Sequence, residues 1–424
     1  MSLFGAMISG ISGLNAQSQN LGTISDNISN LNTIGYKGTR SQFSTLVTTS
    51  GSVSTYSPGG VRAAPFALVD RQGLLQSTES PTDLAINGNG FLVVNEASSP
   101  TTGDDYLYTR AGSFTADKNG NLVNTAGYYL QGWKTDNNGV PLTSNLTVLN
   151  GLATVNVRGL GGSATATSNV TVAANLPATA TTAQTHQVTV QIFDALGVAH
   201  NIAFSFAKTA TLNQWTLTAA NPTLGSTGAT SGSVTFAAST IVFNGNGSLA
   251  STGGTTVTVA GWTSGSSNST ITLNLGTVGQ TNGLTQFSDK FILSTTNQNG
   301  VPFGFFQGVA VDEEGILSAR FDNGTSQKIY KVPIATFPNP NGLGSRNGNA
   351  YAESDKSGSF ILQAAGGGGA GGGGKISASS LEASTIDLAT EFANMIVTQR
   401  AYGANARTIT TADQMLEELM RIGR

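Results

Sequence analysis

The sequence predicts an α+β protein that is mostly β, with α-helices at both chain ends and two nested β-rich domains between them. Three observations support this fold class. Apolar residues recur every seven positions near each terminus, short alternating strands fill the middle, and charge almost vanishes over one central stretch. We expect the two terminal helices to form a coiled coil, because both carry the same seven-residue period.

The C-terminal segment carries the clearest helical pattern. Its apolar positions step by seven through Leu381, Leu388, Met395, Tyr402, Ile409 and Leu416. A second, partly apolar stripe runs through Thr385, Phe392, Gln399, Ala406, Asp413 and Met420. Ser379 is followed three places later by Glu382, and this capping box predicts where the helix starts. A helix with one apolar stripe needs a partner.

The N-terminal segment offers that partner. Its apolar positions also step by seven, through Met7, Leu14, Leu21 and Ile28, and Leu31 extends the neighbouring stripe. Gly10 and Gln17 are weak points in the pattern. An ordinary amphipathic helix packed on a globular core is one interpretation. We favour a two-helix coil whose outer faces meet neighbouring subunits, because both chain ends share the period.

Between the helices we expect a nested domain plan. The predicted domains are a terminal helical domain at 1–33 and 378–424, extended linkers at 34–80 and 366–377, a middle β-domain at 81–150 and 289–365, and an inserted outer β-domain at 151–288. The insertion is recognised by its charge, since Arg158, Asp194 and Lys208 are its only charged residues. The second linker contains nine residues of glycine broken once by Ala370, which is typical of a flexible joint.

The composition narrows the class of protein. Only 10% of the 424 residues are charged, against about 25% in an average protein, and the formal net charge is -3 with no basic block. Nothing therefore suggests binding to nucleic acid. The chain has no cysteine and no apolar run near the ~20 residues of a membrane span. We expect an extracellular structural protein that meets copies of itself and is exported without a cleaved signal peptide.

No catalytic constellation emerges from the sequence. A glycine run that resembles a phosphate loop has Ile376 where Ser or Thr is required, and a calcium-like segment at Asp117 has Leu122 in place of the obligatory Gly. His186 and His200 could face each other across one hairpin, but two imidazoles with no nearby carboxylate pair make a poor metal site. No nucleophile has a base beside it. We expect no enzymatic activity, no cofactor and no metal.

Four stretches together resemble the signatures of flagellar rod and hook axial proteins. The first contains Asn27, Asn30, Thr33, Gly35, Tyr36 and Lys37, two lie at 83–91 and 108–114, and the fourth includes Gln399 and Arg400. Gly403 departs from the family, which usually has a polar residue there. Hook subunits fit best within the family, since rod proteins of this type usually lack so large an inserted β-domain.

The resemblance implies a subunit that polymerises with copies of itself into a curved, flexible tube that transmits torque from rod to filament. It implies as further partners the distal rod protein, the hook–filament junction protein, the hook cap protein and the flagellar type III export apparatus. We expect the assembly interface at Met7, Leu14, Leu21, Ile28, Leu31, Leu381, Leu388, Phe392, Met395, Tyr402, Ile409 and Leu416. Two alternatives stay open: a distal-rod protein, or a secreted β-rich adhesin. In the adhesin, Trp215 and Trp262 could be sugar platforms, although we favour their interpretation as core aromatics.

Overall fold

The chain is β-rich and carries one helix at each end. The computed structural model describes residues 3–47, 59–101, 103–366 and 373–422. Within them, helix α1 spans Leu3–Ser29 and helix α2 spans Leu388–Ile422, and strands occupy most of the chain between them. The predicted fold class, mostly β with N- and C-terminal helices, is confirmed.

The strands are numbered in chain order. The first ten are β1 (Thr39–Thr45), β2 (Val61–Ala67), β3 (Leu75–Ser77), β4 (Leu84–Asn87), β5 (Phe91–Asn95), β6 (Tyr106–Thr109), β7 (Phe114–Ala116), β8 (Leu122–Asn124), β9 (Tyr129–Lys134) and β10 (Ala153–Thr154). The next fourteen are β11 (Ser163–Thr165), β12 (Asn169–Pro177), β13 (Thr185–Phe193), β14 (Ala199–Lys208), β15 (Gln214–Ala219), β16 (Thr223–Leu224), β17 (Ser233–Thr235), β18 (Ser239–Phe243), β19 (Leu249–Thr252), β20 (Thr256–Ala260), β21 (Ser269–Asn274), β22 (Thr285–Phe287), β23 (Ile292–Gln298) and β24 (Val301–Gly304). The last nine are β25 (Phe306–Val311), β26 (Ile316–Phe321), β27 (Ser326–Lys331), β28 (Pro333–Thr336), β29 (Gly344–Arg346), β30 (Ala350–Ala352), β31 (Ile361–Ala364), β32 (Lys375–Ala378) and β33 (Ser380–Glu382).

The chain divides into two compact units. The first comprises Met1–Gly159, Val309–Ala319 and Gln327–Arg424, and the second comprises Leu160–Gly308 and Arg320–Ser326. The second unit therefore extends past the boundary at 288 that the return of charge suggested. The reason is strand pairing: β23, which follows that boundary, pairs antiparallel with β12, and β24 pairs with β11.

The second unit is a β-sandwich. One sheet has the order β17-β20-β21-β12-β22 with β23 also on β12, and the other has the order β13-β14-β15-β18-β19 with β16 on β14. Alternate residues of both sheets point into one apolar core, as Ile202, Phe204 and Phe206 do on β14. Trp215 and Trp262 belong to this core. The favoured interpretation of these two tryptophans as core aromatics is therefore confirmed, and the alternative that they are sugar platforms is wrong.

In the first unit, N- and C-terminal segments build the same β-structure. The largest sheet contains the order β27-β9-β5-β6-β30-β29, and apolar side chains of β4, β5, β9 and β28 form its core. Two further pairings join the chain ends, β32 with β4 and β33 with β3. Residues 375–382 are therefore part of the sheet structure, although the sequence placed them in a linker and at a helix start.

Helix α2 begins later than its sequence predicts. Ser379 lies between β32 and β33 with φ +49°, and Leu381 lies on β33. The helix starts at Leu388, and Asp387 caps it by accepting a hydrogen bond at Oδ1 from the backbone N–H of Thr390 at 2.7 Å. The capping box at Ser379 and the helical position of Leu381 were wrong, because backbone pairing with β3 overrides the local cap signal.

The segment after α1 is more ordered than a linker. Strands β1 and β2 pair antiparallel from Thr39 opposite Ala67 to Thr45 opposite Val61, and both strands contact α1. Residues 48–58 lie outside the described residues, and so do 367–372 of the glycine run, so the flexible joint there stays a prediction. Neither helix, as far as the structure describes them, is long and apolar enough to cross a membrane.

The cap at Asp387 yields a direct test. The hydrogen bond from Thr390 lowers the pKa of the Asp387 carboxyl, so its contribution to stability is present above the ordinary pKa of 3.8 and is lost as pH falls. Asp387→Ala should lower the helix content and melting temperature at pH 7, measured by circular dichroism. Ser379→Ala is the matched control and should change neither. A larger effect of Ser379→Ala would contradict the observed helix start.

Candidate functional site

The two terminal helices pack antiparallel against each other. Three pairs define the register: Gly13 contacts Asn405, Asn20 Nδ2 donates to Thr398 Oγ1 at 2.8 Å, and Asn27 Nδ2 donates to Glu391 Oε1 at 3.3 Å. These contacts step by seven along α1 and by seven in the opposite direction along α2. The seven-residue period seen in the sequence thus recurs at the interface of the two helices.

Small and polar residues line this seam on α1. The buried positions are Gly10, Gly13, Ala16, Ile24 and Asn27. A Cβ atom on Gly10 would lie 3.0 Å from Cγ1 of Ile409, so Gly10 is a close contact point of the helices, not a weak point. The apolar residues expected in the seam, Met7, Leu14, Leu21 and Ile28, are half-buried on its flank, and Leu31 is half-buried beyond the helix end.

On α2 one predicted stripe faces α1 and the other does not. Met395, Ile409 and Leu416 are half-buried, as expected for seam positions, whereas Leu388 and Tyr402 of the same predicted stripe are exposed because they lie nearer its outer edge. The companion stripe is displaced by one position from the predicted one, because Glu391, Thr398, Asn405 and Ala412 face α1. The prediction that Phe392, Gln399, Asp413 and Met420 fill the seam is wrong. The sequence alone could not show which of the two neighbouring stripes of α2 faces α1, because both carry apolar residues.

The displaced stripe leaves large apolar side chains in solvent. On α2, Phe392, Ile396 and Val397 are 49%, 52% and 67% exposed, and Leu388 is exposed beside them. We call these four residues the base patch. A second set at the opposite end of the helix pair, the tip patch, consists of Phe4, Ile8, Ile11, Met415, Leu419 and Met420. Exposed apolar side chains grouped in this way are common where proteins bind one another.

The motif at the end of α1 reverses the chain. Asn27 is buried, and its Oδ1 accepts hydrogen bonds from the Thr39 N–H at 2.9 Å and the Tyr36 hydroxyl at 3.3 Å. Its Nδ2 donates to the Thr39 carbonyl at 2.8 Å. Oδ1 of Asn30 accepts a bond from Thr33 Oγ1 at 3.0 Å. These side chains fix the path from α1 into β1, which explains why this spacing of asparagines occurs here.

Gly35 allows the terminal segments to approach the middle of the chain. It has φ +67°, and a Cβ atom there would lie 2.7 Å from the backbone of Arg110 and Ala111. Its N–H donates to the carbonyl of Glu382 at 2.8 Å. Any side chain at this position would be strained and would clash, so the motif requires glycine.

A buried ion cluster, which we call the clasp, joins three distant segments. Lys37 Nζ lies 2.5 Å from Glu382 Oε1, and Arg110 Nη1 lies 3.0 Å from Glu382 Oε2. All three side chains are buried. Glu382 Oε1 also accepts the N–H of Gly73 at 2.6 Å, and Arg110 Nη2 donates to the Gly88 carbonyl at 2.7 Å. The clasp therefore ties the residues after α1, the middle β-structure and the residues before α2.

The clasp holds two cations and one anion, all buried from solvent. Burial lowers the pKa of the Lys37 amino group, Glu382 opposes that shift, and Arg110 adds to it. Glu382 is the single carboxylate that both cations contact, so its loss would leave them buried without compensation. Sequence reasoning named Lys37 but read Glu382 as a helix cap and did not name Arg110 as a site residue. Charged residues are rare in this chain, and that rarity is the signal that could have singled out Glu382 and Arg110.

Two other motif residues lie away from the clasp. Gln399 and Arg400 are exposed on α2.

The second unit contains a buried polar network that the sequence did not reveal. His200 Nδ1 lies 2.7 Å from Ser231 Oγ, and its Nε2 lies 3.2 Å from Asp194 Oδ2. The expectation that no nucleophile has a base beside it was wrong. All three side chains are fully buried and the ring of Trp262 covers His200 at 4.2 Å between centroids, so the network is closed to a substrate and anchors the turn at Asp194.

The two histidines do not form a site together. His186 lies opposite Phe206 in the β13–β14 pairing, whereas His200 lies opposite Ile192, so they occupy opposite ends of the hairpin. Across the described ranges, no group of three or more His, Cys, Asp or Glu side chains is arranged to hold a metal ion.

Known proteins match along the whole chain. The family models that match are Flagella basal body rod protein at 7–37, Flagellar hook protein FlgE/F/G D1 domain at 85–187, Flagellar basal body protein FlaE D2 domain at 163–301 and Flagellar basal body rod FlgEFG protein C-terminal at 377–422. The flagellar hook protein FlgE of Caulobacter vibrioides is 31% identical, with 100% of both chains covered. The chain belongs to the flagellar hook protein FlgE family.

Other members of the family are similarly related. FlgE of Brucella suis is 35% identical, again over 100% of both chains. The crystal structure of Helicobacter pylori FlgE2 shares 15% identity with a TM-score of 0.49, covering 72% of this chain and 100% of that chain. Membership makes the chain a structural subunit of the flagellar hook, and the distal-rod and adhesin alternatives are not favoured.

The clasp predicts a large effect of one substitution. Glu382→Gln keeps the side-chain size but removes the shared negative charge, so the free energy of unfolding of the first unit should fall by about 3–5 kcal/mol. Urea unfolding measures the change. The control is Glu313→Gln, which breaks an exposed ion pair with Lys375 and should have no measurable effect. Equal effects of the two substitutions would contradict the clasp.

Glu391 predicts a pH dependence. Partial burial in the seam raises the pKa of its carboxyl above the ordinary value of 4.5, Asn27 and Arg40 oppose the shift, and Asp387 adds to it. The stability that this group contributes is full below pH 4.5 and is lost as pH rises through the raised pKa. Glu391→Gln should therefore melt higher than the natural chain at pH 7 and equally at pH 4. A lower melting temperature at pH 7 would show that attraction to Arg40 prevails.

Proposed function

We propose that copies of this chain polymerise through the terminal helices into the curved tube of the hook, which transmits torque from rod to filament. The single observation that supports this most is the exposed base patch on α2 together with the tip patch at the other end of the helix pair. A folded monomer gains nothing from exposing these side chains. Association with further copies would remove them from water, at about 25 cal/mol for each Å² buried.

The charge distribution supports the same use of the helices. From Leu3 to Ser29, Asp26 is the only charged residue of α1, and the other exposed positions are the apolar residues of the tip patch, Gly22, or Ser, Asn and Gln. Such a surface can pack against another copy with little desolvation of charge. We also propose that the polar, Thr- and Asn-rich exterior of the β-sandwich permits small relative movements between copies.

The further partners follow from the family. We propose that the same chain ends meet the distal rod protein at one end of the hook and the hook–filament junction protein at the other, beneath a hook cap protein during growth. We also propose export through the flagellar type III apparatus without a cleaved signal peptide, to an extracellular position. The absence of cysteine supports this route, because no disulfide can form before export.

Two substitutions in the base patch test the proposal. Phe392→Asp with Ile396→Asp should abolish polymer formation, because every copy would place two carboxylates in an apolar contact. Both side chains already face solvent, so the monomer should keep its melting temperature. Sedimentation and electron microscopy measure the polymer, and circular dichroism measures the monomer.

The matched control replaces an exposed leucine far from the helices in sequence. Leu212→Asp in the second unit changes an 87% exposed side chain in the same way and should leave polymerisation unchanged. Normal tubes from the Phe392/Ile396 variant would show that the base patch is not an assembly surface. A collapsed monomer melting transition would show that these residues stabilise the fold instead.

A further inference from the structure

Two charged stripes lie on the exposed surface of α2. The first, the basic stripe, consists of Arg400, Gly403, Ala404 and Arg407, which lie on one helix face at spacings of three and four. The second, the acidic stripe, consists of Asp413, Glu417 and Glu418, nearer the helix end. All five charged residues are exposed, and among the described residues only Glu418 has an ion-pair partner, Arg421.

The acidic stripe is unfavourable in the isolated subunit. All three carboxylates lie before the last turn of α2, where Arg421 pairs with Glu418. Asp413 and Glu417 are also four residues apart, where like charges destabilise a helix. Helix α1, which packs against α2, offers no cation to relieve them, because its only charged residue is Asp26. The sequence therefore bears a local cost that a positive partner outside the chain would remove.

The basic stripe leaves room for another helix to approach. Gly403 lies between the two arginines, and a Cβ atom there would meet nothing within 4 Å, so the helix surface is open at this point. Glycine in a helix interior is less favourable than alanine, so its presence here is not explained by helix stability. A small residue flanked by Arg400 and Arg407 lets another helix come close while both guanidinium groups reach its carboxylates.

We propose that the basic stripe of one subunit binds the acidic stripe of α2 in a second copy. This inference rests on the proposed function and names the partner of the helix surface. Copies in a tube built by one repeated operation point the same way, so neighbouring α2 helices are roughly parallel. Arg407 precedes Glu417 by ten positions and Arg400 precedes Asp413 by thirteen. The two copies are therefore displaced along the helix axis by about 15–20 Å.

Charge reversal tests the pairing. The first variant carries Arg400→Glu and Arg407→Glu, and the second carries Asp413→Arg and Glu417→Arg. Each places like charges at every contact, so each alone should form about tenfold less polymer or worse. The two variants mixed should copolymerise to within about twofold of the natural chain, since each supplies the charge that the other lacks. One chain with all four substitutions should polymerise likewise.

The controls separate this inference from the proposed function. Lys290→Glu with Arg320→Glu makes the same charge change on exposed residues of the second unit and should leave polymerisation unchanged. Circular dichroism should show every variant folded. Normal polymer from the Arg400/Arg407 variant would overturn the pairing, and so would a mixture that fails to assemble. The proposed function would survive either result, because it depends on the Phe392/Ile396 variant.

Discussion

The structure depends on one carboxylate that two cations share. Glu382 lies just before α2 and contacts Lys37, which follows α1, and Arg110, which follows β6. These groups are buried, so each must be compensated by the others, and the three segments can hold their places only together. Gly35 adds a backbone bond to Glu382 where a side chain would not fit. The clasp thus brings together motifs that are far apart in sequence and fixes both the end of α1 and the start of α2.

The two helices pack side by side with few large apolar contacts between them. Their seam contains glycine, asparagine and threonine where a stable coiled coil would have leucine or isoleucine, and its contacts are mostly hydrogen bonds and close approach. The larger apolar side chains face outward in the base and tip patches. This division suits a member of the hook family: the pair is positioned by the clasp, and its apolar surface is available for other copies.

The second unit follows a different logic. Its core is a closed β-sandwich, and even the polar side chains of Asp194 and His200 are buried and hydrogen-bonded to one another, to Ser231 and to Ser264. Its apolar core is formed by residues of the second unit alone. A subunit with a self-sufficient β-sandwich and a helix pair that exposes apolar residues can keep strong contacts through its helices while its β-sandwich presents polar surface.

The sequence by itself determined the fold class, the presence of a helix at each end, the alternation of the β-sandwich strands and the family. These depend on local periodicity and on short motifs, which are written in consecutive residues. The tertiary structure decided the phase of the helix seam, since the stripes through Glu391 and Phe392 differ by one residue and only packing selects between them. It also decided that Ser379 to Glu382 is strand, because pairing with β3 outweighs a local cap. The clasp and the contact of His200 with Ser231 are visible only in the folded chain. Glu382 is 345 residues from Lys37 and 272 from Arg110, and His200 is 31 residues from Ser231, so no local sequence pattern predicts these contacts.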